Sequence, residues 1–92
     1  MSVEKLNEAR AVLDEKQARA RAALKEAKVE AKRVRDEAKK NAPDKAARKM
    51  ADEVYKETIR KAEAECSRVV SAALEDWARV YEEIRASQKE VK

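Results

Sequence analysis

Lys39-Lys40-Asn41-Ala42-Pro43-Asp44 decides how this chain folds, because it holds the only proline in 92 residues and the chain has no glycine. Everything on either side reads as helix. A proline inside a helix lacks the N–H for one backbone hydrogen bond and clashes with the carbonyl four residues earlier, here that of Lys39, at a cost of about 3 kcal/mol. The first helix is therefore expected to stop before it. Ala42, as the residue before proline, is pushed toward extended geometry. Asn41 is the residue type that best tolerates a left-handed helix end when glycine is absent. Pro43 then fits the first turn of a second helix, and Asp44 adds negative charge where the helix dipole favours it. The spacing predicts helices over about 2–40 and 43–90, joined by a turn at Asn41, Ala42, Pro43 and Asp44.

Working outward, the composition agrees. Charged residues make up 46% of the chain and aromatic residues 3%, with no Phe, His or Gly, which argues against a sheet protein with tight turns. Ala, Glu, Lys and Arg dominate, and these are strong helix formers. Disorder competes as a reading for so charged a chain, but ordered apolar stripes weigh against it. Ninety-two residues make a single domain, 1–92. The lone cysteine, Cys66, excludes an intramolecular disulfide framework and suits a reducing setting. No secretory signal is read at the N-terminus, where Glu4, Lys5, Glu8 and Arg10 interrupt any apolar run. No uncharged stretch approaches the ~20 residues of a membrane span, so a soluble protein is expected, its compartment left open.

The apolar residues recur every eleven positions. On the first helix Ala9, Ala20, Ala31 and Ala42 form one column and Val12, Ala23 and Val34 another, with Leu13, Leu24, Ala27 and Ala38 beside them. An eleven-residue repeat gives 3.67 residues per turn and a nearly straight stripe. A heptad through Leu6, Leu13, Ala20, Ala27 and Val34 overlaps it, and the two readings stay open. On the second helix the columns are Ala51, Ala62, Ala73 and Ile84; Tyr55, Cys66 and Trp77; Ile59, Val70 and Tyr81; and Val69, Val80 and Val91. Large side chains on one helix thus face alanine on the other. In a single rod, the nine residues from Ala42 to Ala51 would turn the two stripes by about 900°, onto opposite sides. A reversal at the proline lets them face each other in an antiparallel hairpin.

One thin seam rarely stabilises a chain of this size. The band from Val69 and Ala73 across to Val70, Trp77 and Tyr81 is wider than one neighbour can cover. A four-helix bundle is expected, two hairpins forming a coiled-coil-like homodimer through Leu13, Leu24, Val34, Ile59, Cys66, Val69, Val70, Ala73, Trp77, Val80, Tyr81 and Ile84.

Catalysis is poorly provisioned. Without histidine there is no side chain that titrates near neutrality unperturbed and no Ser-His pair, and without glycine there is no phosphate-binding loop. The carboxylate pairs Glu26 with Glu30 and Glu53 with Glu57 read as solvated helix faces, since hard cations want several oxygens converging from different elements. No enzyme activity, cofactor, metal or small-molecule substrate is expected. Cys66 reads as a small buried hydrophobe and Trp77 as packing.

The most specific charged feature is a basic ridge. Arg21, Lys25, Lys28, Lys32, Arg35 and Lys39 follow at three- and four-residue steps on one face of the first helix. Residues 1–43 carry twelve basic against eight acidic side chains, and residues 44–92 eleven against eleven, so the net charge of +4 belongs to the first helix. Such a ridge can contact nucleic acid or another polyanion. No aromatic residue interleaves it for base stacking, and Asp52, Glu57 and Glu63 offer partners on the second helix, so the structural reading is favoured. Glu15 with Arg19, Asp36 with Lys40, Asp52 with Lys56, Glu57 with Lys61 and Glu75 with Arg79 place acid four residues before base, about 0.3 to 0.5 kcal/mol each.

Uninterrupted helix formers, the lack of His and Phe, one short connection and charge pairs on exposed faces together make the chain resemble computationally designed helical bundles along its full length. That resemblance implies a scaffold that tests packing or assembly, without a substrate. The free Cys66 departs from designed practice, and Thr58, Ser67 and Ser71 look more like pieces of natural helices. The Ala-Glu-Lys-Arg repeats at eleven-residue spacing are also similar to the stalk subunits of rotary ATPases, which implies a strut. A self-assembling helical scaffold is the leading expectation, with a stalk-like strut or a polyanion-binding module as alternatives.

Overall fold

The computed structural model describes the backbone of residues 2–90 and the side chains of residues 3–88. Val91, expected in an apolar column, lies outside the described residues. Two helices, α1 (Ser2–Asn41) and α2 (Lys45–Glu90), account for nearly all of the described chain, and no strand occurs among the described residues.

The helix ends differ from the expected 40 and 43, for reasons local to the proline. Pro43 has no N–H to offer the Lys39 carbonyl, and the N–H of Ala42 takes that acceptor instead at 3.3 Å. This three-residue closure carries α1 through Asn41. No described residue has positive φ, so Asn41 does not adopt the left-handed end expected of it. On the far side, the Asp44 carboxylate accepts the N–H of Ala47 at 2.8 Å, while its backbone carbonyl accepts that of Arg48 at 3.3 Å. Asp44 is therefore the N-cap of α2 rather than a residue of its first turn, and Pro43 precedes the cap. A capping side chain satisfies an N–H that helix geometry leaves free, which a charge placed one turn in would not do.

Contacts gather the chain into two compact units. The turn-bearing unit spans 21–67. In it Lys39 Nζ lies 3.1 Å from Asp52 Oδ1 and Lys28 Nζ 3.9 Å from Glu63 Oε2, so the two segments run antiparallel with paired numbers totalling 91. That register sets Ala31, which is 6% exposed, level with the space between Ile59 and Ala62. Ala31 is buried because a methyl group lets the facing backbone close over it. The unit of the chain ends comprises 2–20 and 68–90 among the described residues. Its segments are also antiparallel, with Lys16 Nζ 3.7 Å from Asp76 Oδ2, and it buries Leu13, Ala20, Ala73 and Ile84.

Burial distinguishes the two periodicities. Ala9, Ala20, Ala31 and Ala42 are all buried or half-buried, as are Ala51, Ala62, Ala73 and Ile84. The heptad through Leu6, Leu13, Ala20 and Ala27 ends at Val34, which is 45% exposed. A straight α-helix drifts about 20° per heptad, so four heptads from Leu6 displace Val34 by roughly 80°. Val12 and Ala23, eleven-residue partners of Val34, are exposed with it, one position before the seam residues Leu13, Leu24 and Arg35.

Candidate interaction surface

Within the turn-bearing unit, Leu24, Ile59 and Cys66 are half-buried and Val34 is exposed. In the unit of the chain ends Leu13, Ala73 and Ile84 are buried, Val69, Val70, Trp77 and Val80 half-buried, and Tyr81 40% exposed. Trp77 and Tyr81 stack one turn apart, with ring centroids 5.5 Å apart and planes 22° from parallel. The indole Nε1 of Trp77 is buried without a hydrogen-bond partner among the described residues. Such an unmade bond costs about 1–3 kcal/mol, set against the area the ring buries. Cys66 is a free thiol in the seam of the turn-bearing unit.

The basic ridge divides into two sets. Lys28 and Lys39 reach across the seam to Glu63 and Asp52, and the Arg35 guanidinium lies 4.3 Å above the ring of Tyr55 while also meeting Asp36 at 3.2 Å. The cation–π contact is legible only once register is known, since Arg35 and Tyr55 occupy facing columns. Arg21, Lys25 and Lys32 are exposed. Glu57, offered above as a partner for the ridge, turns instead to Arg60 at 2.6 Å and Lys61 at 4.0 Å.

Of the five acid-before-base pairs, Glu15 with Arg19 and Glu57 with Lys61 are made. Asp36 is taken by its neighbour Arg35, Asp52 by Lys39 across the seam, and Arg79 by Asp76 at 3.5 Å, because adjacent, three-residue and cross-helix partners compete with the four-residue one for weak ion pairs. Glu30 is bound by Arg33 through two nitrogens, at 2.6 and 3.1 Å, and Arg33 also reaches Glu37 at 2.9 Å. The Arg33 hydrogen bond, aided by its charge, holds the Glu30 carboxyl below the ordinary carboxylate range, and Arg60 does the same for Glu57.

The two flanks of the seam in the turn-bearing unit are unlike. On the flank of Lys28 and Lys39, ion pairs bridge the helices. Ala27 and Ala38, each one residue earlier, lie on the other flank, where an open apolar groove of about 660 Å³ runs beside the turn. Ala27, Ala31, Val34 and Ala38 form its α1 wall, and Ala47, Met50, Val54 and Tyr55 its α2 wall. Met50 is 64% exposed and Val54 55%. Sequence reasoning placed Val34 in the packing stripe but missed Met50 and Val54. The signal was there: an apolar residue one position before the seam residues Ala51 and Tyr55 marks a second face.

No group of three or more metal-ligating side chains converges among the described residues, Glu26 with Glu30 and Glu53 with Glu57 included. No helix among the described residues is long and apolar enough to cross a membrane. Among the described residues, an apolar groove, a partly engaged basic ridge and a seam of small side chains are the surfaces the sequence and structure single out. No protein-family model matches the chain, and neither a curated protein nor a solved structure shows significant similarity to it.

Proposed function

We propose that this chain is a structural element that acts by associating with itself, two hairpins pairing into a four-helix bundle, with no catalytic role. The observation that carries this reading is the surface left open. The chain exposes 7512 Å², whereas a globular monomer of its 10.5 kDa exposes about 5400 Å². Only Leu13, Ala20, Ala31, Ala73 and Ile84 are buried apolar residues among the described ones, and three of these are alanine. Net stability is a small difference between burial and chain entropy, and so thin a core leaves little margin without a partner. That excess is roughly 2000 Å² per chain, and a homodimer closing most of it on both copies would bury on the order of 3000–4000 Å² in total, within the range of obligate interfaces. The alternative of a polyanion-binding module has less support, since Lys28, Arg35 and Lys39 are engaged within the chain.

Sedimentation velocity across a micromolar concentration series tests the proposal. A dimer, with helicity lost on dilution below its dissociation constant, is the expected result. A fully helical monomer throughout the series would refute it.

A further inference from the structure

We infer that the apolar groove beside the turn is the surface on which two copies meet, related by a two-fold axis. This rests on the self-association reading and adds the face to it. Three observations select a second copy of this chain as the occupant.

The first is shape. The α1 wall is the smaller, with Ala27, Ala31 and Ala38 around Val34, and the α2 wall the bulkier, with Met50, Val54 and Tyr55 beyond Ala47. A two-fold rotation lays the bulky wall of each copy on the small wall of the other, so the face is its own complement. The second is charge. Only Glu30 and Arg35 among the groove's lining residues are ionic, one of each sign; Glu30 is held by Arg33, and Arg35 lies over Tyr55. Two copies therefore approach without net like charge, and a strongly acidic or basic partner finds nothing to prefer. The third is the polar cost of drying the face. The Thr58 hydroxyl donates to the carbonyl of Val54 at 2.8 Å, so burying that hydroxyl strands no donor, and Asn41, also polar, is exposed beside the turn at the end of the groove. The opposite flank lacks these properties, being bridged by Lys28–Glu63 and Lys39–Asp52.

The test compares Val54→Lys with Val29→Lys in the full chain by sedimentation velocity, with helicity followed by circular dichroism. Val29 is 64% exposed and does not line the groove. Val54→Lys is expected to weaken self-association at least tenfold with helicity retained at high concentration, and Val29→Lys to leave it unchanged. A second measurement does not depend on the lysine variant folding. With Cys66→Ser as background, mixing Val34→Cys and Val54→Cys chains under mild oxidation is expected to give more mixed cross-linked dimer than either chain gives alone. If the wild-type chain associates but Val54→Lys associates equally well, or the Val54→Cys chain cross-links mainly to itself, the face is wrong and the self-association reading stands. A wild-type chain that stays monomeric refutes both.

Discussion

Replacing Asp44 by Ala removes the one side chain that starts α2, and its effect can be worked from the geometry. The Asp44 carboxylate accepts the Ala47 N–H at 2.8 Å, a bond alanine cannot make. Loss of an N-cap costs about 0.5–2 kcal/mol. The charge also faces the positive end of the α2 dipole, worth about 0.3–1 kcal/mol, and α2 has no acid in its first turn to stand in for it. Together these predict a loss of roughly 1–2 kcal/mol. In a chain of this size each kcal/mol moves the melting temperature by about 4–8 °C, so a fall of roughly 5–15 °C is expected. Thermal melts followed at 222 nm, at one fixed protein concentration, read the change without mixing in mass action. Asp44→Asn separates the two contributions, since it keeps an acceptor and loses the charge; it should give up less than half of what Asp44→Ala does. A melt for Asp44→Ala within a degree of wild type, or equal losses for the two variants, would show that Asp44 does not cap the helix.

Further outcomes follow from the seam and the ion pairs. Ala31→Leu should destabilise by about 1–3 kcal/mol in urea melts by forcing the helices apart, while Ala46→Leu, at an exposed position, should be near neutral. Leu13→Ala should cost about 2–3 kcal/mol in the same assay, the lower part of the range for large-to-small changes, since the site opens at a seam rather than a deep core. Because Arg33 and Arg60 lower the folded-state pKa of Glu30 and Glu57, their contribution is present above the ordinary carboxylate range and lost as pH falls through the lowered values. Acid titration should therefore show helicity declining below about pH 4, and Glu30→Gln with Glu57→Gln should flatten that decline; an unaltered curve would mean the pairs are inert. A generic DNA duplex should show no salt-dependent binding to the ridge at 50 mM salt; a steep salt slope would revive the polyanion alternative.

The two helices and their reversal were legible because proline and the absence of glycine act locally. The details of the reversal were not, since the spot where a helix yields to its cap depends on which N–H reaches which acceptor. Asp44 read as a first-turn charge behind Pro43, and the bond from the Ala47 N–H shows it one step earlier, as the cap. Eleven-residue columns such as Ala20 with Ala31 and Ala73 with Ile84 marked the seam. Val12 and Val34 share the same eleven-residue period but lie one position off the buried columns and stay exposed, since the angle between neighbouring columns is decided by packing. The groove formed with Met50 and Val54 is a product of register, which no single helix carries.

The pairing register also sets an order of assembly. Lys39 meets Asp52 across thirteen residues, Lys28 meets Glu63 across thirty-five and Lys16 meets Asp76 across sixty. Closing the longest of these loops from the unfolded chain costs only about 1.4 kcal/mol more entropy than the shortest. Zipping from the reversal lets each newly formed contact shorten the next search, so substitutions near Asp44 should slow refolding. Substitutions around Leu13 should act mainly by hastening unfolding.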